Sequence, residues 1–267
     1  MNPKTAKTPP AQPNLIRAQG AAFRLNKRFA VTQPGELDLE AAAMALGVLV
    51  FVGRLDGAAA RLVRQGSKGI IRISDRITVS GGQRFAAAHE IGHWEMHGEY
   101  SQLFLCTESD MRDYDRSPLE IEANTFASEL LMPSVLIRPL CQDADPSLTL
   151  VGQLAEQFRT SRTATAIRLV SESTRKCMVV YSENGRVKWW KRRDDSTRLW
   201  LEKGQEIHPH SMAWECLKGL PVPDKMASVP VEAWFNHLPF DLHAEILEQS
   251  ICLGRFPGIL TLLWIMQ

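Results

Sequence analysis

His89-Glu90-Ile91-Gly92-His93 constrains this chain more than any other stretch. The residues before it, Gln83-Arg84-Phe85-Ala86-Ala87-Ala88, are alanine-rich and free of proline, so a helix is predicted there. Residues four apart share a helix face, so His89 and His93 project side by side. Two imidazoles at that spacing can bind one zinc ion, with Glu90 in reach of a water on it. In that role the carboxylate takes a proton from the water and passes it to a leaving group. The bland alternative is a helix with two unrelated histidines.

A catalytic zinc takes three protein ligands and keeps an open position. His97 continues the spacing, but on one straight helix it lies about 12 Å along the axis from His89. Ligands of a single zinc sit about 2 Å from it, so one rod cannot supply all three. His97 is expected instead at the helix C-terminus, favourable beside the negative end of the dipole, with Gly98 as the stop.

The third ligand is expected from a second helix, Ser117 to Met132, with Ser117 as N-cap, Pro118 at the first position and Pro133 ending it. Leu119, Ala123, Phe126, Ala127 and Leu130 form its apolar stripe. Glu120 and Glu122 flank that stripe equally, so amphipathicity does not choose between them. Asn124 lies four residues after Glu120 and can hold the outer nitrogen of a metal-bound histidine, which favours Glu120 as ligand with Asn124 behind it. Ser117-x-x-Glu120 also reads as a capping box, which would turn Glu120 towards the backbone.

Arg84 to His93, followed by Glu120-x-x-Ala123-Asn124-x-Phe126-Ala127-x-x-Leu130-Leu131-Met132-Pro133, resembles the ImmA/IrrE family of metallopeptidases, over roughly residues 36 to 172. The resemblance implies a zincin-like fold of gluzincin type, Zn2+ held by His89, His93 and Glu120, and Glu90 as catalytic base. It implies an endopeptidase that cuts a helix-turn-helix repressor, switching on phage, mobile-element or stress genes, and includes a branch found in anti-phage defence operons.

The 267 residues suffice for a sizeable core and two domains, and a net charge of +1 gives no general nucleic-acid footprint. The expected fold class is α+β. Residues 1–22, rich in proline and lysine, read as a disordered tail without the apolar segment of a signal peptide. Residues 23–147 read as the zincin-like domain, 148–173 as a helix-turn-helix-like segment, and 174–267 as a β-rich, sensor-like domain. No stretch has the 18 apolar residues of a membrane span, so a cytoplasmic protein is expected.

Within the first domain, a helix is predicted over Glu36–Leu46, a buried strand at Val48–Val52, and strands at Lys68–Ser74 and Ile77–Val79. An edge strand is expected to take up substrate backbone. Cys106 falls nearly midway between His93 and Glu120, in the stretch joining the ligand helices. It is either a packed thiol or a thiolate that closes the fourth zinc position and keeps the enzyme latent. The other cysteines show no pairing pattern, which fits a reducing compartment. Arg159, Arg162 and Arg168 either meet phosphates or cover a packing layer.

Asn184-Gly185 signals a hairpin. Its second strand interleaves Arg186, Lys188, Lys191, Arg192 and Arg193 with Trp189 and Trp190. That pattern suits single-stranded DNA, a natural activating signal, or equally an edge strand with one tryptophan inside and charges outside. Tyr100, Tyr114, His208 and His210 are equal candidates for stabilising an oxyanion. Two function classes stand: a zinc endopeptidase cleaving a repressor, and a non-hydrolytic DNA- or protein-binding regulator that keeps the metal. A peptidase of general substrates is a third.

Overall fold

The computed structural model describes residues 8, 10–101, 103–107, 117–193, 199–236, 245–254 and 258–266. The chain is α+β and divides into two compact units. The first comprises residues 1–136 with 156–161, and the second residues 137–155 with 162–267.

The first unit opens with α1 (Leu15–Arg28), which starts inside the stretch expected to be tail. Proline-rich composition hid it. Asn14 caps it by accepting from the Arg17 amide, and Ala18, Ala21, Ala22 and Leu25 form its buried stripe. The next helix, α2 (Leu39–Ala45), is shorter than the predicted Glu36–Leu46, because the Asp38 side chain caps it at Glu40 and Ala41.

The strands β1 (Val48–Gly53), β2 (Ala60–Gln65), β3 (Lys68–Ser74) and β4 (Leu103–Cys106) form one sheet in the order β1-β3-β2-β4. β1 runs parallel to β3, and β2 is antiparallel to both β3 and β4. Val48, Leu62, Ile71 and Ile73 are buried on one face, under α3 (Ser80–Met96). β1 was expected to be buried throughout. It is a sheet edge, and Leu49, Phe51 and Val52 are exposed. Ile77–Val79 is not a strand: Val79 is the N-cap of α3, and the Gln83 side chain donates to the Ile77 carbonyl at 2.7 Å.

α4 (Pro118–Leu131) packs against both α3 and α1. Gly92 makes the α3–α4 approach possible. A Cβ there would stand 3.0 Å from Phe126 Cδ1 and 3.3 Å from the Ala123 Cα. The helices close to this distance only because that Cβ is missing, and the approach sets how far α4 side chains must reach to meet the α3 histidines.

α5 (Ser134–Cys141) and α6 (Leu148–Phe158) run across the division between the units. α6 and α7 (Arg162–Glu172) are separated by a turn in which Arg159 has φ 55°. Arg168 is buried and pairs with Glu172 at 3.3 Å, so it is not a phosphate contact and belongs to the packing-layer alternative.

The second unit holds a five-stranded antiparallel sheet, in the order β6-β5-β9-β8-β7. Its strands are β5 (Cys177–Glu183), β6 (Arg186–Arg192), β7 (Ala227–Val229), β8 (Glu245–Cys252) and β9 (Gly258–Met266). Asn184 and Gly185 have φ 53° and 72°, the left-handed pair a two-residue hairpin turn requires. β9 is central and almost wholly buried, which accounts for its unbroken apolar run. Val180, Val187, Trp234, Phe235, Ile246 and Leu263 are among its core, with α8 (Met212–Leu217) packed on β8. Among the described residues no helix is long and apolar enough to cross a membrane.

Candidate metal centre

α3 and α4 bring four potential ligands to one point. His89 Nε2 lies 3.1 Å from His93 Nε2. Glu120 Oε2 lies 3.0 Å from His89 Nε2, and Oε1 lies 3.4 Å from His93 Nε2. Cys106 Sγ, carried in by β4, is 3.7 Å from His93 Nε2. The ligand atoms of His89, His93, Cys106 and Glu120 all fall within 4.8 Å of one another. Tetrahedral zinc with bonds of about 2.0–2.1 Å to N and O would hold those atoms about 3.3 Å apart, and a thiolate about 3.6 Å from a ring nitrogen. The donor set fits a divalent metal on this count.

Protonation leads to the same conclusion. Asn124 Oδ1 accepts from His89 Nδ1 at 2.9 Å, so a neutral His89 presents a lone pair at Nε2. His97 Nε2 donates to Glu122 Oε2 at 3.1 Å, leaving its Nδ1 to accept from His93 Nδ1 at 2.9 Å. Neutral His93 therefore also presents a lone pair at Nε2. Two lone pairs and a carboxylate converge on one buried point, and only a cation reconciles them. A proton does so in part. Burial opposes charging His89, but Glu120 outweighs it and raises the pKa. Burial pushes His93 down to about 4. Burial also opposes ionising Glu120, yet its contact with His89, and after it with His93, holds the carboxyl far below the usual range.

Glu90 is wholly buried beside this cluster, and apart from a weak contact with the Cys106 thiol neither carboxylate oxygen makes a hydrogen bond among the described residues. Burial pushes its pKa up to about 7; the charge of His89 and the Cys106 thiol pull the other way. An orphaned carboxylate at such depth costs stability and is normally avoided.

Of the two glutamates left open by amphipathicity, Glu120 meets the imidazoles. Its amide bonds the Ser117 carbonyl, but the Ser117 side chain makes no capping bond. Glu122 is buried on the same helix but turned to a different set of partners. It accepts from the Asn14 amide at 2.8 Å and from His97, with Arg17 at 3.8 Å. The Glu122–His97–His93 chain, anchored by the first turn of α1, was missed in the sequence. Its only signal was the third histidine at the four-residue spacing. Phe104, on β4, stacks on His93 with centroids 4.3 Å apart and was likewise not foreseen.

Residues 43–170 match the family model of the IrrE N-terminal-like domain, a peptidase family. That stretch, just under half of the chain, carries an IrrE N-terminal-like domain, which is consistent with the ImmA/IrrE resemblance. Among solved structures, a Mycobacterium tuberculosis transcriptional regulator is similar, with TM-score 0.54 and 14% identity over 93% of this chain and 75% of that one. At that identity the likeness concerns the fold. None of the curated proteins matches.

The other site expectations fare differently. The set Arg186, Lys188, Trp189, Trp190, Lys191, Arg192 and Arg193 does not form an open stacking surface. Trp189 is 6% exposed and stacks on Tyr181 at 5.4 Å, while Trp190 donates to the Leu201 carbonyl at 2.8 Å and packs on the core. Arg186 pairs with Glu206, Lys188 with Glu183, and Arg193 donates to the Ser173 carbonyl. The hairpin is a sheet edge with its tryptophans absorbed, the alternative already weighed. Trp200 is the exposed indole, set edge-on to Trp190. Of the oxyanion candidates, Tyr100 lies 6.2 Å from His97 between ring centroids, His208 and His210 belong to the second unit, and Tyr114 lies outside the described residues.

Proposed function

We propose that this chain is a zinc-dependent endopeptidase that cleaves a partner helix-turn-helix repressor and so switches on stress or anti-phage genes. The orphaned carboxylate of Glu90 beside the converging His89, His93 and Glu120 carries the proposal. Zinc bound by those three residues would supply a Lewis-acidic centre that acidifies a water. Glu90 is the group that would take up a proton beside those ligands and return it to the departing amine. Asn124 fixes His89, and His97 with Glu122 fixes His93, each with its lone pair aimed inward. β4 pairs with β2 on one side only among the described residues. Its other edge can pair with an extended substrate backbone.

Cys106, whose Sγ lies 3.7 Å from His93 Nε2, would close the fourth position as a thiolate and hold the enzyme latent. Single-stranded DNA is the proposed activating signal, with the exposed Trp200 as the ring open to stacking. The cytoplasm is the proposed compartment, in keeping with free thiols at the cysteines. The alternative is a non-hydrolytic regulator. It draws on the description of the mycobacterial structure as a transcriptional regulator.

Incubating the chain with candidate helix-turn-helix repressors tests the proposal. Cleavage by wild type, lost in Glu90→Gln with zinc retained, is expected; repressor function unchanged by Glu90→Gln would favour the regulator. Cys106→Ser should cleave without DNA, and DNA-dependent cleavage identical to wild type would end the latch idea.

A further inference from the structure

The face of the first sheet turned away from α3 is built as an interface. Strand register places Leu49, Ile70, Val63 and Leu103 in one row across all four strands. These side chains are 57%, 46%, 44% and 50% exposed. The next row reads Phe51, Arg72, Arg61 and Leu105. On the other side of the apolar row stand Lys68 and Gln65. Surface aliphatics are ordinary when scattered, but an aligned row is not.

Charge selects the occupant. Among the described residues neither Arg61 nor Arg72 pairs with a carboxylate. Arg72 lies over the Phe51 ring at 4.9 Å, and Arg61 Nε is buried without a partner. A second copy docked about a two-fold axis would set cations against cations, which costs energy. Nucleic acid would find guanidinium groups, but the single ring in these rows, Phe51, already lies under Arg72 and the other side chains where bases would stack are aliphatic. A protein segment with an apolar stripe flanked by carboxylates meets both rows. Four strands at about 4.8 Å spacing span roughly 14 Å, and three helical turns span about 16 Å.

We propose that this face docks an acidic amphipathic helix of a partner protein, with the helix lying across the strands along the Leu49–Leu103 row and its carboxylates on Arg61 and Arg72. The inference does not depend on the metal centre cleaving anything. It does place the partner on β4, whose outward residues Leu103 and Leu105 alternate with Phe104 and Cys106 at the metal centre.

The test uses two fluorescein-labelled synthetic 18-residue helices sharing one leucine stripe, one flanked by glutamate and one by lysine. Anisotropy with the full chain should show the acidic helix binding at least tenfold tighter. Arg61→Glu with Arg72→Glu should reverse that preference, and Ile70→Ser with Val63→Ser should weaken both helices at least tenfold. Zinc content and circular dichroism should not change, since Arg72, Val63 and Ile70 are exposed and Arg61 is partly so. The proposal is overturned if the acidic helix does not bind, if the two helices bind alike, or if the variants behave as wild type. It is also overturned if sedimentation shows a dimer that Ile70→Ser dissolves, or if phosphatidylserine vesicles bind wild type and displace the acidic helix.

Discussion

Glu90 and Glu248 are both buried glutamates with pKa values raised by desolvation, one in each unit. They differ in what surrounds the carboxylate. Glu248 accepts from Trp234 Nε1 and the Ala213 amide, each at 2.7 Å, and from Ser250 Oγ at 2.8 Å. Those donors tie α8, β8 and the segment holding Trp234 into one core. Glu90 has only the Cys106 thiol, a weak donor, acting on it and no full hydrogen bond among the described residues. A buried carboxylate with its hydrogen bonds made holds a fold together. One left without them is a cost that a chain keeps when the carboxylate acts on something that comes and goes.

Exchanging the two glutamates' fates is the strongest way to break the contrast. Glu90→Gln should reduce cleavage by about 10²–10⁴-fold while leaving zinc content and thermal stability near wild type. Glu248→Ala should leave cleavage by the surviving folded fraction intact and cost about 3 kcal/mol in denaturant unfolding, since it strands several buried donors. Equal stability losses in both would erase the distinction. A smaller effect is expected at His97. Its alanine variant should weaken zinc affinity about 10–100-fold in chelator competition, because His93 loses the partner that fixes its tautomer. His97→Gln should recover part of that loss, since an amide can both accept from His93 and donate to Glu122. The smallest effect is expected at Gly92→Ala. The added methyl meets Phe126 and the α4 backbone, costing about 1–3 kcal/mol and widening the gap Glu120 spans.

The two units were not equally legible in sequence. His89, His93, Glu120 and Asn124 could be placed because helical spacing converts sequence distance directly into direction. The length argument that excludes His97 as a ligand was sound, but it did not ask what a buried histidine beyond the ligands could hold in place. Strands carry less information. In β6 a register shift beside Tyr181 and Ser182 alters which side chains face inward, and nothing in Arg186 to Arg193 announces it. β2 and β4 escaped notice because Ala60–Gln65 mixes arginine with apolar residues and Leu103–Cys106 is only four residues long. Ile77–Val79 showed the reverse failure: β-branched composition without pairing. α1 lay behind a proline-rich beginning, yet it supplies the Asn14 and Arg17 contacts that hold Glu122.

The central claim is that His89, His93 and Glu120 share one divalent ion. Zinc content after exhaustive dialysis, measured on wild type, Glu120→Ala and Glu122→Ala, tests it most directly. One zinc per wild-type chain, none in Glu120→Ala, and a weakened but measurable occupancy in Glu122→Ala is the predicted pattern. A metal-free wild type, or zinc retained in full by Glu120→Ala, would contradict it.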